Sequence, residues 1–417
     1  MKILHTSDWH LGRTLHGHLL FDAQDAAVNY IVDEAIRLGV DAVIIAGDVY
    51  DRPSPPPESI RLFNSAIVRL DEAGISILVT AGNHDSADRL ATYSSVLKSN
   101  IRIAGSVSDL SSPLKLTDEH GAVLIYPVTY LHPDVACLEL ADDPVTPLDR
   151  QHEVVMAAAV ERIRQDLKVR TAGAKTPVRT IAVAHAFVGS SSGTKSARQE
   201  NADGIQDAGL EVSTSERDLS IGGIQIVPSS VFEGFDYVAL GHLHGQQSVP
   251  KAKGSKTIAR YSGSLLRYSM SERNHNKSFT LVHLGKPGTE PQVELHEIPQ
   301  PRGMARLQGA MDELLSSKNE KHRADFVEVT VTDSKYPDGM YARIKEAFPW
   351  LLNLIYNPEG KALGGGDSGV RMDARKLSPM EAMAIFFEQA SGAALEEEAT
   401  SALQKAYDEA HKQLGVK

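Results

Sequence analysis

The 417-residue chain lacks features that define several classes of protein. Cys137 is its single cysteine, which excludes an internal disulfide, and one thiol beside sixteen histidines favours metal chemistry based on nitrogen and oxygen. No run approaches the roughly 18 apolar residues of a membrane span, and the first residues lack the zones of a secretory signal. We therefore expect a cytoplasmic protein with no membrane segment and an inert Cys137.

The chain also lacks an excess of positive charge, since 54 Asp and Glu outnumber 43 Lys and Arg and the formal net charge is -11 at pH 7. Binding to nucleic acid through the overall field is thereby excluded, because phosphate contacts need local positive surface. The richest basic stretch spans 251–277, where Glu272 is the one opposing acid, and its candidate DNA contacts are Lys251, Lys253, Lys256, Arg260 and Arg267. A solvated loop is the alternative interpretation of this stretch.

The first half of the chain alternates short apolar runs with helical patterns, which is typical of a layered α/β fold with helices flanking β-sheets. We predict one domain over residues 1–277. Its strand-like runs are 3–5, 40–46, 75–80, 123–128, 180–184, 224–227 and 237–240, and its first helical patterns are 25–38 and 59–70.

The pattern changes after residue 277 and predicts a small α+β capping domain over 278–363. Its expected strands are 279–284 and 326–332, and its expected helices are 304–315 and 341–348. A glycine-rich linker, 364–377, then precedes Ser378, Pro379 and Glu381, which have the order of a helix start. Two amphipathic helices over 378–417 either pack on their own domain or dock a partner's helices.

Five short polar motifs each follow a strand-like run. Strand carboxyl ends in layered α/β proteins converge on one edge, where ligands bind, so these distant segments are expected to build one site. The motifs are Asp8-Trp9-His10, Gly47-Asp48 with Asp51, Gly82-Asn83-His84-Asp85, His185, and Gly241-His242-Leu243-His244.

The residue types in these motifs suit two divalent metal ions. Carboxylate, amide oxygen and imidazole match manganese, iron or zinc, and seven ligands are too many for one ion. We predict one ion on Asp8, His10 and His244, a second on Asn83, His185 and His242, and Asp48 bridging them. Two ions roughly 3.5 to 4 Å apart can clamp a phosphate, so phosphoester hydrolysis is the predicted reaction.

His84 is not needed as a ligand, and its place between Asn83 and Asp85 favours contact with the phosphate. We predict that it stabilises developing charge or protonates the leaving oxygen, with Asp51 orienting it and raising its pKa. The alternative is a histidine that only supports the metal ligands.

These motifs resemble the calcineurin-like metallophosphoesterase superfamily, whose D-x-H, G-D-x-x-D, G-N-H-D, H and G-H-x-H motifs are matched in order. Over nearly the whole chain the residues are more similar still to the SbcD family of bacterial nuclease subunits. The segments that carry this likeness are SDWHLG at 7–12, GDVYDRP at 47–53, GNHDS at 82–86, AHAFVGSSSG at 184–193, GHLHG at 241–245 and YSGSLLRYSMSE at 261–272. The chain departs at Leu265, where that family more often has proline.

The resemblance implies a manganese-dependent 3′ to 5′ double-strand exonuclease and single-strand or hairpin endonuclease that serves DNA repair, recombination and replication. It also implies an SbcC-type coiled-coil ATPase bound by the C-terminal helical segment, and two nuclease subunits paired through helices near 59–70 and 87–97 in a heterotetramer. Reasoning from the residues leaves two alternatives: a metallophosphoesterase acting on small phosphodiesters or phosphoproteins, and a module that only tethers DNA.

Overall fold

The computed structural model describes residues 1–143, 145–174, 176–190, 210–213, 226–251 and 254–358, with positions 400, 401, 404, 405 and 407. The chain forms two compact units, Met1–Arg302 and Gly303–Lys417. The predicted linker 364–377 lies outside the described residues, as does nearly all of the predicted helical segment 378–417. Within the described part, no helix has the length and apolar composition to cross a membrane.

The elements of the described residues follow in chain order. The strands are β1 Lys2–Thr6, β2 Thr14–Leu15, β3 His18–Leu19, β4 Ala42–Ala46, β5 Ser76–Thr80, β6 Ile101–Ala104, β7 Leu114–Asp118, β8 Gly121–Val128, β9 Arg179–His185, β10 Val188–Gly189, β11 Val227–Pro228, β12 Tyr237–Gly241, β13 Gln247–Ser248, β14 Ile258–Tyr261, β15 Ser278–His283, β16 Gln292–Glu297, β17 Met304–Gly309, β18 Phe326–Val331 and β19 Leu351–Tyr356. The α-helices are α1 Phe21–Leu38, α2 Pro57–Glu72, α3 Ala87–Leu90, α4 Pro133–Glu139, α5 His152–Thr171, α6 Met311–Leu314 and α7 Met340–Ala347.

Two six-stranded sheets form the centre of the first unit. Their strand orders are β16-β15-β1-β4-β5-β6 and β13-β14-β12-β9-β8-β7. Ile44 and Leu78 of one sheet share a buried apolar cluster with Ile125, Ile181 and Ala239 of the other. The inner strands are parallel and read as continuous apolar runs because both of their faces are buried.

Helices cover the outer faces of these sheets. Helix α1 buries Val28, Ile31 and Val32 at helical spacing, and it ends at Gly39, whose left-handed φ of 58° closes the last turn. Helix α5 buries Val155 and other apolar residues in the core on the outer side of the second sheet. The predicted layered architecture is therefore present.

Parallel pairing aligns the strand ends that carry the polar motifs. Ala46 at the end of β4 pairs with Thr80 at the end of β5, and Gly241 at the end of β12 pairs with His185 at the end of β9. Strand β1, which leads to Asp8, is parallel to β4. All five motifs thus leave the sheets at carboxyl ends.

The first unit extends beyond the boundary that we predicted at residue 277. Strand β15 pairs antiparallel with β1, Leu281 opposite Leu4, and β16 pairs with β15. The compact unit therefore continues to Arg302, and the expected second-domain strand at 279–284 belongs to the first.

The second unit contains a parallel sheet of β17, β18 and β19, with Ile344 of α7 in its core. The helix predicted over 304–315 was wrong, because Met304–Gly309 is a strand paired with β18 and only Met311–Leu314 is helical. Pairing along β18 outweighs the helical preference of this short segment. The strand predicted near 326–332 and the helix near 341–348 are confirmed. In the first unit, the helix expected near 87–97 is one turn, α3, followed by a 3-10 turn at Ser94–Val96.

Candidate metal centre

Four predicted metal ligands have backbone conformations that side-chain-bearing residues seldom adopt. Asp8, His10, Asp48 and His242 have φ values of 51°, 45°, 50° and 102°, and they are four of the five non-glycine residues with positive φ in the described ranges. Each such residue costs on the order of 1 to 3 kcal/mol, and this strain concentrates at functional sites. These turns at the carboxyl edge therefore cost stability, which indicates that they have a functional role.

The motif glycines allow the ends of the two sheets to meet. A Cβ atom at Gly241 would lie 1.8 Å from the main-chain oxygen of Ala46, and one at Gly47 would lie 2.1 Å from His185 Nδ1. Only glycine fits where backbone approaches so closely. The same approach lets His185 Nδ1 lie 2.9 Å from the Ala46 oxygen.

The first predicted ligand set converges in the structure. His10 Nε2 lies 3.1 Å from His244 Nε2, and a carboxylate oxygen of Asp8 lies within 4.8 Å of the donor nitrogens. The Nδ1 atoms face acids, since His10 Nδ1 is 3.5 Å from Asp51 Oδ1 and His244 Nδ1 is 3.1 Å from Glu272 Oε1. This favours protons on Nδ1 and lone pairs on Nε2. Two lone pairs and a carboxylate then face one another, an arrangement that a cation satisfies.

The second predicted set converges beside the first. Asn83 Oδ1 lies 2.9 Å from His185 Nε2 and 3.1 Å from His242 Nδ1. Asp48 Oδ2 is 3.3 Å from His185 Nε2 and 3.6 Å from His10 Nε2, so this carboxylate lies between the two sets. The structure therefore brings all seven predicted ligands together, with Asp48 in the position expected of a bridge.

Burial and mutual contact set the charge of these groups. Burial alone would lower the pKa of His185, but Asp48 raises it to about 9. Burial would raise the pKa of Asp48, but the facing His185 and His10 hold it well below its usual range. Burial lowers the pKa of His10 to about 4 and that of His242 to about 3, which leaves both imidazoles neutral and able to bind a metal ion.

His84 lies on the same loop with one ring nitrogen available. Its main-chain N–H donates to Asp48 Oδ1 at 2.9 Å, and its Nδ1 is 2.9 Å from the main-chain oxygen of Asp51. Its Nε2 is buried and has no hydrogen-bond partner among the described residues. We expected Asp51 to orient His84, and the carboxylate of Asp51 faces His10 and lies 3.2 Å from Arg13. The main chain of Asp51 orients His84 instead, because the loop after β4 turns its carbonyl toward the ring.

Comparisons with known proteins show the family of the chain. Residues 1–202 match the family model of calcineurin-like phosphoesterases, and residues 300–391 match a model described as the type 5 capsule protein repressor C-terminal domain. The chain is 30% identical over 414 residues to the SbcD subunit of the SbcCD nuclease from Bacillus subtilis strain 168, covering 95% of each protein. The chain belongs to the SbcD family. Its layered α/β fold is that of the calcineurin-like phosphoesterases, as predicted.

Two solved structures of low sequence identity match this chain over nearly their whole length. TT1561 of Thermus thermophilus is 14% identical with a TM-score of 0.36, and the match covers 72% of this chain and 99% of that one. A dimetal phosphatase from Danio rerio is 12% identical with a TM-score of 0.41, and the match covers 72% and 97%.

Leu265 lies against the site. Its main-chain N–H lies 3.4 Å from the main-chain oxygen of Asp8 and donates to it. Proline has no N–H and would remove this bond. This hydrogen bond thus ties the loop after β14 to the motif after β1.

The candidates of the basic stretch that the structure describes do not form one surface beside the metal centre. Lys256 precedes β14, so it lies at the amino end of that strand, about 13 Å from the carboxyl end. Lys251 pairs with Glu290 at 2.7 Å, and the buried guanidinium of Arg260 donates to Ser248 at 2.7 Å. Arg267 follows β14 at the carboxyl edge, and its Nε donates to the main-chain oxygen of His275 at 3.0 Å. The remaining candidate, Lys253, lies outside the described residues.

Reasoning from sequence gave no structural role to two acids near the site. Asp85 accepts the main-chain N–H groups of Val49, Tyr50 and Gly82 at 3.1, 2.9 and 2.9 Å, which ties two ligand loops together. Glu272 is buried against His244, and although burial opposes it, Lys277 and His244 hold the pKa of Glu272 well below its usual range. Its place as the one acid in a basic stretch was the available signal.

Proposed function

We propose that this chain is the DNA-cutting subunit of an SbcCD-type assembly and hydrolyses DNA phosphodiester bonds with two divalent ions. The observation that carries the proposal is the convergence of seven nitrogen and oxygen ligand residues, five of them buried, in two sets with Asp48 between them. The family's nuclease name supports a DNA substrate. Donors of these types, with no thiolate, match manganese, iron or zinc, and the resemblance to the SbcD family is what favours Mn²⁺ among them.

Asp8, His10 and His244 would hold one ion, and Asn83, His185 and His242 the other, with Asp48 shared. When bound, the ions supply Lewis-acid stabilisation of the phosphate and of charge on the attacking and leaving oxygens. The protein's own contribution is to fix the donors before substrate arrives. Strained turns and buried hydrogen bonds perform that task.

His84 is the proposed acid of the reaction. With its Nδ1 proton donated to the Asp51 carbonyl, a second proton on Nε2 can pass to the leaving oxygen and leave a neutral imidazole. The bond to Asp51 persists through that transfer, so the ring keeps its orientation. Asp51 therefore contributes twice, through its carbonyl to His84 and through its carboxylate to His10.

The finer activity is also proposed: 3′ to 5′ double-strand exonuclease and single-strand or hairpin endonuclease, acting in the cytoplasm. The first unit would cut, the second would cap and seat DNA, and residues 378–417 would bind the coiled-coil ATPase. The exposed side chains of Ile60, Tyr93 and Val96 support pairing of two nuclease subunits through this region. A pull-down with the ATPase should fail for a chain ending at Lys376 and succeed for the full chain. Equal recovery would refute the role of the terminal segment.

The test of the main proposal is degradation of an end-labelled DNA duplex in Mn²⁺, in Mg²⁺ and in chelator, beside a small phosphodiester such as bis(p-nitrophenyl) phosphate. We expect Mn²⁺-dependent cutting of the duplex at the higher kcat/KM. Faster turnover of the small ester, with and without the ATPase, would favour the alternative of a phosphodiesterase for small substrates.

A further inference from the structure

A buried charged cluster holds the predicted ligand His244 from behind. Glu272 and Lys277 are 0% and 2% exposed. Glu272 Oε1 lies 3.1 Å from His244 Nδ1 and accepts the Ser269 hydroxyl at 3.2 Å. Glu272 Oε2 accepts Lys277 Nζ at 2.7 Å and the Tyr268 main-chain N–H at 3.2 Å. Both carboxylate oxygens are thus held in place.

Lys277 also forms a hydrogen bond with the main chain of His244. Its Nζ donates to the main-chain oxygen of His244 and to Ser264 Oγ, both at 2.8 Å. Lys277 directly precedes β15, which pairs with β1, the strand that leads to Asp8. One ammonium group therefore balances Glu272, fixes His244 and links both to the first sheet.

The other metal-facing imidazoles have different supports. His185 Nδ1 faces a neutral main-chain oxygen, that of Ala46. His10 Nδ1 faces Asp51, whose carboxylate is 25% exposed and shared with Arg13. A buried ion pair costs desolvation and adds little to stability over an apolar pair of similar size, so stability alone does not account for Glu272 and Lys277.

A carboxylate behind a metal-binding imidazole fixes the ring's tautomer and raises its basicity. We infer that Glu272 is a positioning residue that holds His244 with Nε2 directed at one ion, while Lys277 neutralises the buried charge. This inference rests on the proposed two-metal centre, and Mn²⁺ binding to the wild-type protein tests that centre separately.

The experiment is calorimetric titration of the full chain with Mn²⁺. Glu272→Gln keeps the shape of the side chain and should raise the Kd of one of the two ions about 10- to 100-fold, which is the usual effect of losing such a partner. It also leaves Lys277 unbalanced, so its Tm should fall. The double variant Glu272→Gln with Lys277→Met removes both charges and also the two hydrogen bonds from Lys277 to His244 and Ser264, so we expect its Tm to recover in part while its Mn²⁺ affinity stays weak.

The matched control breaks the ion pair between the buried Arg179 and the partly buried Asp118, at the opposite ends of the strands from the metal centre. Asp118→Asn removes the partner of Arg179, so its Tm should fall while both Mn²⁺ affinities stay at wild-type values. Wild-type Mn²⁺ affinity in the double variant would overturn the role of Glu272. Fewer than two Mn²⁺ ions on the wild-type protein would overturn the proposed two-metal function itself.

Discussion

The charged and titratable side chains are arranged differently at the two ends of the same parallel strands. At the amino ends charges are paired, as in Arg179 with Asp118, the N-terminal ammonium with Asp118 at 3.4 Å, and Lys251 with Glu290. At the carboxyl ends, imidazole nitrogens and carboxylates face one another at 3.1 to 3.6 Å. At the amino edge, side chains of opposite charge neutralise one another. At the carboxyl edge, the facing nitrogen and oxygen atoms are arranged to bind metal cations.

The largest effect that would follow from this difference is at Asp48. Asp48→Ala removes the carboxylate shared by both donor sets, so cutting of labelled duplex in Mn²⁺ should fall by about 10³-fold or more, since several kcal/mol of transition-state stabilisation are lost. The fold should persist, because the apolar core shared by the two sheets does not include this side chain. Near-normal cutting by the folded variant would show that the donors at the carboxyl edge do not form the catalytic metal centre.

The next effect is at His84. His84→Gln should lower kcat by about 10²- to 10⁴-fold, the usual worth of a positioned acid, while the Mn²⁺ content stays unchanged because His84 is not a proposed ligand. His120→Gln, at the amino edge between β7 and β8, serves as the control and should cut normally. Unchanged kcat in His84→Gln would leave this histidine a purely supporting role.

The balanced edge predicts a stability effect. Asp118→Asn leaves the buried Arg179 guanidinium without its carboxylate and should cost about 2 to 3 kcal/mol of unfolding free energy. The bond from Arg179, the largest cause, holds the pKa of Asp118 below its ordinary value. Its stabilisation is therefore complete above the unfolded pKa of about 3.9 and is lost as pH falls below it.

Urea unfolding of both proteins between pH 7 and pH 2 checks this prediction. The wild type should lose more stability than Asp118→Asn as the pH falls below about 4. Parallel pH profiles of the two proteins would show that the Asp118–Arg179 ion pair does not contribute to the free energy of unfolding.

The smallest effect is expected for the lysines at the amino ends. Lys251→Ala and Lys256→Ala should change kcat/KM for duplex DNA less than about twofold, because an exposed ion pair contributes roughly 0 to 1 kcal/mol and these residues lie at the far edge. A tenfold loss measured on duplex DNA would show that substrate reaches around to that edge.

The metal centre could be predicted from sequence because its signals are local. An apolar run followed by a short polar motif specifies both a strand and the edge at which its last residues emerge, as for Gly241 and His242 after β12. Five such motifs in one chain require no knowledge of strand order. The side-chain contacts of Asp51 and Glu272 depended on how the intervening loops fold back, and no local pattern carries that information.

Long-range pairing also explains the errors in the fold. The apolar run at 279–284 reads as a strand in either unit, and its partner β1 is almost the whole first unit away in sequence. Basic residues that are close in sequence can likewise lie at opposite ends of a strand. Lys256 precedes β14 and Arg267 follows it, so the length of β14 separates them.

The measurement that tests the central claim most directly is anomalous diffraction from crystals of the full chain soaked in Mn²⁺. We expect two peaks roughly 3.5 to 4 Å apart on either side of the Asp48 carboxylate, one next to His244 and the other next to His185. A single peak, or peaks that do not share Asp48, would contradict a two-metal centre at the carboxyl edge.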